Sequence, residues 1–370
     1  MIRILQVVSN MSRAGIETML MNYYRKIDRN KIQFDFLCNK ADIGEYEEEI
    51  ISLGGRIYRT PGLNPFKYWK YLAYMDKLFI DHPEWKIIHA HNDAFVAYSL
   101  FAAKRNNIPV RISHVHCASF PRSYKLPIAL FCREMIPYCC TKKWACGRKA
   151  GEFYYGKKVI DDPQFHIHNN AIDINKYLFN KNRRERIREK YNLKDCLVIG
   201  HVGRFDYQKN HEFLINVFAD IIKKDPSTRL ILLGDGHFKE RIIAKVKSLC
   251  LENYVIFTGS VSNTNDFYQA FDVFVMPSRW EGLPVTSIEA QASDLPCVFS
   301  DTITDEVNIL PTNQFLSLKL PISEWSNKIL NAIYNHTSRV DRYKEITNAG
   351  YNIDVQVKKL VDIYYSYLKQ

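Results

Sequence analysis

Apolar and polar positions alternate on two length scales along this chain. Short runs rich in Val, Ile, Leu and Phe, among them IRILQVVS, IQFDFLCN, KIIHAHN, VRISHVH and KKWACG, are separated by stretches such as ETMLMNYYRKI, EYEEEIISLG and AFVAYSLFAAKRN with helical periodicity. A second series follows the same rule: CLVIGHVGR, RLILLGDG, VIFTGS, DVFVMPS and PCVFSD. Apolar runs of strand length joined by amphipathic helices predict β-α-β units, and therefore parallel sheets covered on both faces. Two series predict two doubly wound α/β domains. The break falls in HIHNNAIDINKYLFNKNRRERIREKY, which puts the boundary at residue 168 and divides the chain into 1–168 and 169–352. The remaining segment, 353–370, carries DVQVKKLVDIYYSYLKQ and reads as one amphipathic helix.

Length and composition agree with this picture. A chain of 370 residues suits two domains of ordinary size. Hydrophobic content of 46% and charged content of 25% are those of a globular protein. No apolar run has the length of a bilayer span, and MIRILQVVS reads as a first strand because it lacks the long apolar region and small-residue cleavage site of a signal peptide. Nine cysteines without a C-x-x-C pair or metal-ligand spacing point to a reducing cytoplasm.

The net charge of +11 is unevenly placed: residues 1–168 carry 25 Lys/Arg against 16 Asp/Glu, and 169–370 carry 26 against 24. Within 101–149 stand ten basic residues and one acid, Glu134. Two readings stay open, a solvated face or a surface drawn to the phosphates of a membrane or a nucleic acid.

Parallel sheets bind ligands beyond the carboxyl ends of their strands. The residues standing there are Ser9 and Asn10 with Gly15 nearby, His91, His114 and His116, Gly203 and Arg204, Gly234 to Gly236, Gly259, and Ser278 with Glu281. In HVGRFDYQKNHEF, Arg204 follows a strand and Lys209 precedes a helix start. A guanidinium, an ammonium and free helix N–H groups together suit a diphosphate, although such pairs also flank helices without a ligand. LGDG is a glycine-rich turn without the dinucleotide fingerprint, since Lys239 stands at the third glycine position, and no P-loop occurs. RWEGLPVTSIEAQA sets Glu281 in a loop and Glu289 in the following helix, with Pro284 expected in the first helical turn and Gly282 allowing a tight turn that presents the N–H groups of Leu283 and Val285. Carboxylates accept from paired hydroxyls, so two of them around an anion-binding helix start suit a nucleotide sugar. Either glutamate alone also fits a plain loop or helix surface.

The order VGR-x4-KN, LGDG, FTG, PS-x-x-EGLP-x4-EA resembles the donor half of family 4 glycosyltransferases, and the likeness extends to SRAGIE, with Gly15, near the N-terminus. The resemblance implies the GT-B fold: two Rossmann-like domains facing a cleft, the C-terminal helix packing back toward the first. It implies that Arg204 and Lys209 hold the donor diphosphate, that Glu289 holds the ribose, and that Glu281 meets the transferred sugar. The resemblance further implies that Gly203, Gly234, Gly236, Gly259, Ser278, Gly282, Leu283, Pro284 and Val285 surround the donor, with Gly15 joining them. The family's PNGID turn appears here as NNAID, with Ala171 in place of glycine. On the acceptor side the family keeps one histidine near the sugar; alignment from the strand end selects His116, with His114 as competitor and His91 beside them.

The segments RISHVHCAS and SDTITDEVNI further resemble transferases of capsular and exopolysaccharide assembly. The implied activity is a retaining hexosyltransferase that moves a sugar from a nucleotide sugar, a UDP-sugar, to a lipid-linked glycan. No Asp-x-Asp pair occurs, so no metal or other cofactor is expected. The stretch 120–149 mixes Arg122, Lys125, Arg133, Lys142, Lys143, Arg148 and Lys149 with Phe120, Tyr124, Leu130, Phe131, Ile136 and Trp144. That composition suits a peripheral contact with anionic lipid at the inner membrane face, or equally a buried helix. Rival readings are a nucleotide-sugar epimerase or a phosphorylase of the same fold, the latter opposed by the missing pyridoxal-lysine motif. A basic nucleic-acid-binding protein has only the net charge in its favour, and no nucleic-acid partner is expected.

Overall fold

The computed structural model describes residues 1–62, 64, 68–91, 93–118 and 126–369. The chain divides into two compact units: Met1–Ala171 together with Ile353–Gln370, and Ile172–Asn352. Unit 1 contains β1 (Ile2–Val8), β2 (Ile32–Cys38), β3 (Ile57–Arg59), β4 (Ile87–Ala90), β5 (Val110–Val115), β6 (Lys142–Ala145) and β7 (Phe165–Ile167), in the sheet order β3-β2-β1-β4-β5-β6-β7. Unit 2 contains β8 (Val198–Val202), β9 (Arg229–Leu233), β10 (Val255–Gly259), β11 (Val273–Met276), β12 (Cys297–Ser300) and β13 (Gln314–Leu316), ordered β10-β9-β8-β11-β12-β13. Every strand pair among the described residues is parallel.

Each sheet runs outward from its first strand and then resumes on that strand's other side, at β1/β4 and at β8/β11. Connections leave in opposite directions at such a reversal, and the strand ends there are left open for a ligand. In unit 1 the His91 N–H donates to the Val7 carbonyl at 2.9 Å, and in unit 2 the Arg279 N–H after β11 donates to the Gln208 carbonyl after β8 at 2.8 Å. The flanking strands β1, β2, β8 and β11 are almost wholly buried, which the near-continuous apolar runs require.

The unit 1 core joins Tyr24, Phe34, Phe36 and Trp144 to Val357, Leu360 and Tyr364 of the helix Ile353–Lys369. The C-terminal helix therefore belongs to the first unit's core, and Lys26 and Asp354 pair at 3.0 Å beside it. Burial of each such side chain contributes about 1.5–3 kcal/mol. Among the described residues, no helix is long and apolar enough to cross a membrane.

Two details differ from the sequence reading. The unit boundary falls after Ala171, not after residue 168, because Ala171 is buried in the unit 1 core and the backbone of 169–171 is bonded to Asn22 and Tyr23 of that unit. Three strands of three residues, β3, β7 and β13, were too short to show as apolar runs, and each lies at a sheet edge. The NNAID turn needs no glycine: Ala171 does not have a positive φ. Its backbone is held instead by Tyr23, whose hydroxyl donates to the Asn169 carbonyl at 2.8 Å, and by the Asn22 amide on the Ala171 carbonyl at 3.2 Å.

Candidate active site

The reversal in unit 2 brings the loop after β8 against the loop after β11. Lys209 Nζ lies 2.7 Å from Glu281 Oε1, and the two side chains are 15% and 7% exposed. Gln208 donates to the other carboxylate oxygen at 3.0 Å and to the Trp280 carbonyl at 2.9 Å. Asn210, in the left-handed region at φ 57°, caps the next helix and donates to the Pro277 carbonyl at 3.1 Å. The Arg279 guanidinium lies 4.3 Å from the centre of the Tyr207 ring. Four residues of one loop thus fix the other before any ligand arrives. Arg204 differs from Lys209: its side chain is 71% exposed and its one ion-pair partner among the described residues is Asp206, at 3.1 Å.

The glycine-rich turn crosses this loop at backbone contact. A Cβ on Gly234 would stand 2.2 Å from the Gly203 oxygen, and one on Gly236 would stand 2.5 Å from the Phe205 oxygen. Both have positive φ, 132° and 154°, so a side chain is excluded twice. Gly259 follows at φ 70°, and its carbonyl accepts from Gly234 N–H at 2.9 Å. Ser278 is buried; its carbonyl accepts from Thr302 at 2.7 Å, while its hydroxyl has no partner among the described residues.

Pro284 stands one position earlier than expected. It is the N-cap, with ψ 120°, and the helix runs Val285–Ala292. The Ser287 N–H and hydroxyl both return to the Pro284 carbonyl, which shapes the start of that helix. Leu283 and Val285 are buried beside Gly282, and Glu289 lies further along the helix, 5% exposed. The phenols of Tyr177 and Tyr268 donate to its two oxygens at 2.7 and 2.9 Å. Burial raises the Glu289 carboxyl above its usual range, and the two phenol hydrogen bonds oppose that rise. Each oxygen has a second lone pair, so the carboxylate can still accept from a ligand. Neither tyrosine was selected from sequence; Tyr177 and Tyr268 stand 112 and 21 residues away, and Tyr268 reads as a core aromatic.

Gly15 opens the helix Gly15–Lys26 in unit 1, with nothing within 4 Å of the place a Cβ would take. The rest of the donor set stands in unit 2.

Five buried histidines of unit 1, His89, His91, His114, His116 and His168, cluster together. His91 follows β4 and His116 follows β5, and their Nδ1 and Nε2 atoms meet at 3.1 Å. His114 does not lie beyond its strand as expected: β5 extends to Val115, so His114 stands inside the sheet, fully buried, with Nδ1 on His89 Nε2 at 3.1 Å. Burial pushes the imidazoles of His89, His91, His114 and His168 well below their ordinary range, and that of His116 down to about 3. Among the described residues, ligand nitrogens of His89, His91 and His114 all lie within 4.8 Å of one another, close enough to hold a metal ion, although the same rings are hydrogen-bonded as they stand. His89 and Gln6 were not selected from sequence. A glutamine inside the apolar run IRILQVVS was the available signal.

The stretch considered for lipid contact is corrected in part. Phe120, Arg122, Tyr124 and Lys125 lie outside the described residues. Ile136 and Trp144 are core residues, the first turned inward from the helix Leu126–Cys139 and the second on β6 between β5 and β7. Leu130, Phe131 and Tyr138 are exposed on that helix, while Lys143 pairs with Asp162 at 2.6 Å and Lys142 lies over the Tyr367 ring.

Residues 183–345, which lie within unit 2, match the family described as Glycosyl transferases group 1. The chain is 36% identical over 371 residues to the "Putative glycosyltransferase EpsF" of Bacillus subtilis (strain 168), covering 98% of this chain and 96% of that one. It is 23% identical, over 95% and 93% of the two chains, to the UDP-Gal:alpha-D-GlcNAc-diphosphoundecaprenol alpha-1,3-galactosyltransferase of Escherichia coli. It shares its fold with Anabaena Alr3699/HepE in complex with UDP-glucose, at TM-score 0.79 and 17% identity, over 99% and 100% of the chains. Identity of 36% along almost the whole of two chains, with the family segment inside unit 2, makes this protein a member of the group 1 glycosyl transferases.

Proposed function

We propose that this glycosyltransferase moves a hexose from a UDP-sugar to a lipid-linked glycan during surface polysaccharide assembly, with retention of anomeric configuration. The observation that carries the reading is the Lys209–Glu281 contact at 2.7 Å with the exposed Arg204 on the same loop. It sets a sugar-hydroxyl acceptor next to cations suited to a diphosphate. The names of two similar proteins point the same way: UDP-Gal and a diphosphoundecaprenol acceptor in one, UDP-glucose in the other.

The residues take the following roles. Arg204, Lys209 and the start of the helix Val285–Ala292 stabilise charge developing on the leaving diphosphate. Glu281 accepts from hydroxyls of the transferred sugar and Glu289 from the ribose. The Gly234–Gly236 turn lets backbone approach the nucleotide. In unit 1, His116 serves the acceptor side. The acceptor hydroxyl attacks on the face from which the diphosphate leaves, and its proton passes to the departing phosphate oxygen. The cations supply what a divalent ion supplies elsewhere.

Incubation with a panel of nucleotide sugars, with and without EDTA, tests this. Transfer or hydrolysis of one UDP-sugar, unchanged by chelator, is the expected result. Turnover of none of the panel removes the donor assignment, and loss in EDTA restored by magnesium or manganese removes the metal-free mechanism. The exposed Leu130, Phe131 and Tyr138, in the basic part of unit 1, favour a peripheral membrane contact. Sedimentation with anionic but not neutral vesicles, reversed by salt, is the corresponding result; equal binding to both excludes it.

A further inference from the structure

Two hydrogen-bonded histidine arms lie side by side in unit 1, and one glutamine touches both. The first arm runs from Gln6 Oε1 to His91 Nε2 at 2.9 Å, and from His91 Nδ1 to His116 Nε2 at 3.1 Å. The second runs from the Tyr364 hydroxyl to His89 Nδ1 at 2.8 Å, and from His89 Nε2 to His114 Nδ1 at 3.1 Å. The Gln6 amide nitrogen donates to the Tyr364 hydroxyl at 3.4 Å.

Gln6 sits in the middle of β1, opposite His89 of β4, fully buried in a run of Ile, Leu and Val. A buried amide at the centre of a sheet costs stability unless its hydrogen bonds are made, and an aliphatic residue would serve the core as well. Its presence is explained by what it imposes. A neutral imidazole has one N–H and one lone pair. A carbonyl oxygen only accepts, so His91 carries its proton on Nε2 and presents a lone pair at Nδ1. His116 must then point Nε2–H inward, which leaves its Nδ1 bare.

The second arm meets the first only at that amide. With Gln6 donating to its oxygen, the Tyr364 hydroxyl keeps its own proton for His89 Nδ1, and in that direction His89 gives Nε2–H to His114. His114 Nε2 is buried without a partner among the described residues in either direction, so the polarity of the first arm alone fixes His116.

We propose that Gln6 and His91 are positioning residues that fix the tautomer of His116, so that Nδ1 of His116 meets the ligand as a hydrogen-bond acceptor. The proposal rests on the acceptor-side role given to His116 above and adds the sign of that contact. A bare Nδ1 takes a hydrogen bond from a sugar hydroxyl and repels an anionic phosphate oxygen. The ligand group that meets His116 is therefore a hydroxyl donor.

The test is nitrogen-15 NMR of the imidazoles in the full chain, for the parent, Gln6→Met and Gln6→Glu, alongside steady-state kinetics with the accepted nucleotide sugar. The parent should show His116 protonated at Nε2 only. Gln6→Met should show mixed tautomers, with kcat lowered roughly tenfold or more and KM for the donor within about twofold. Gln6→Glu, which keeps an acceptor on His91, should hold the parent tautomer and recover most of kcat. A parent spectrum with the proton on His116 Nδ1 overturns the proposal even if Gln6→Met does not fold. So does a Gln6→Met protein with parental tautomer and kcat, or zinc bound by His89, His91 and His114 in the isolated protein. The spectrum needs no turnover: a parent with the stated tautomer that uses no nucleotide sugar refutes the transferase reading and leaves the tautomer assignment intact.

Discussion

The two sheets share one topology, with strand order reversing beside the first strand of each, yet the chemistry at the two reversals is opposite. In unit 2 the reversal holds charge: Lys209 against Glu281 at 2.7 Å, with Arg204 in solvent nearby. In unit 1 it holds neutral imidazoles, whose protons are ordered by Gln6 and Tyr364. Fixed charge can stabilise a leaving diphosphate as its charge grows. Neutral rings can only select donors from acceptors, which is what recognition of hydroxyls needs. One fold thus supplies two kinds of site, and the kind is set by a few side chains at the strand ends.

The largest effect should come from breaking the charged end. Lys209→Ala removes a cation from the proposed diphosphate site and leaves Glu281 buried with only Gln208 as partner among the described residues. The turnover rate should fall by roughly 10²–10³, and stability by about 3 kcal/mol, read by calorimetry. Adding Glu281→Gln should restore the stability and not the rate. A folded Lys209→Ala protein working at the parental rate would falsify the diphosphate assignment. Arg204→Ala, at an exposed position, should lose roughly a hundredfold in rate with no change in melting temperature.

The next contrast is with acid. His89, His91, His114, His116 and His168 of unit 1 are buried and neutral, against His201 and His211 in unit 2, lowered to about 4 and about 2. A histidine whose pKa is lowered by folding contributes stability that is full above its unfolded value and is lost as pH falls toward the folded one. Each should cost about 1.4 kcal/mol per pH unit below about 6.5, because the unfolded chain takes up the proton first. Amide exchange between pH 7 and 5 should therefore show unit 1 opening more steeply than unit 2. Equal slopes would mean that the histidines of unit 1 take up protons while folded.

The smallest effect should be at Glu289. Glu289→Gln keeps the buried shape and one of the two phenol hydrogen bonds, the other phenol now facing an amide NH2 that can only donate, and an amide accepts from hydroxyls less well than a carboxylate. Donor affinity should weaken by roughly tenfold, with kcat nearly unchanged. A titration with unchanged affinity excludes the ribose role.

Much of this protein is legible in its sequence because the deciding information is local. Apolar runs with helical stretches between them determine parallel α/β units, since strand and helix periods are properties of a short window. The spacing from Gly203 to Lys209 and from Glu281 to Glu289 fixes which side chains follow a strand and which ride the next helix, so the positions of the candidate donor residues could be read one at a time. Pro284 shows the margin: one position of difference separates a first-turn proline from an N-cap. Tertiary structure alone decided what those side chains touch. Glu289 meets phenols 112 and 21 residues away, and the C-terminal Tyr364 reaches His89 across 275 residues. Which histidine stays inside the sheet depended on where β5 stops, one residue past His114. The protonation pattern of the cluster is not local either. It belongs to a network closed by Gln6, and a hydrogen bond between residues of different strands leaves no mark on the spacing within either one.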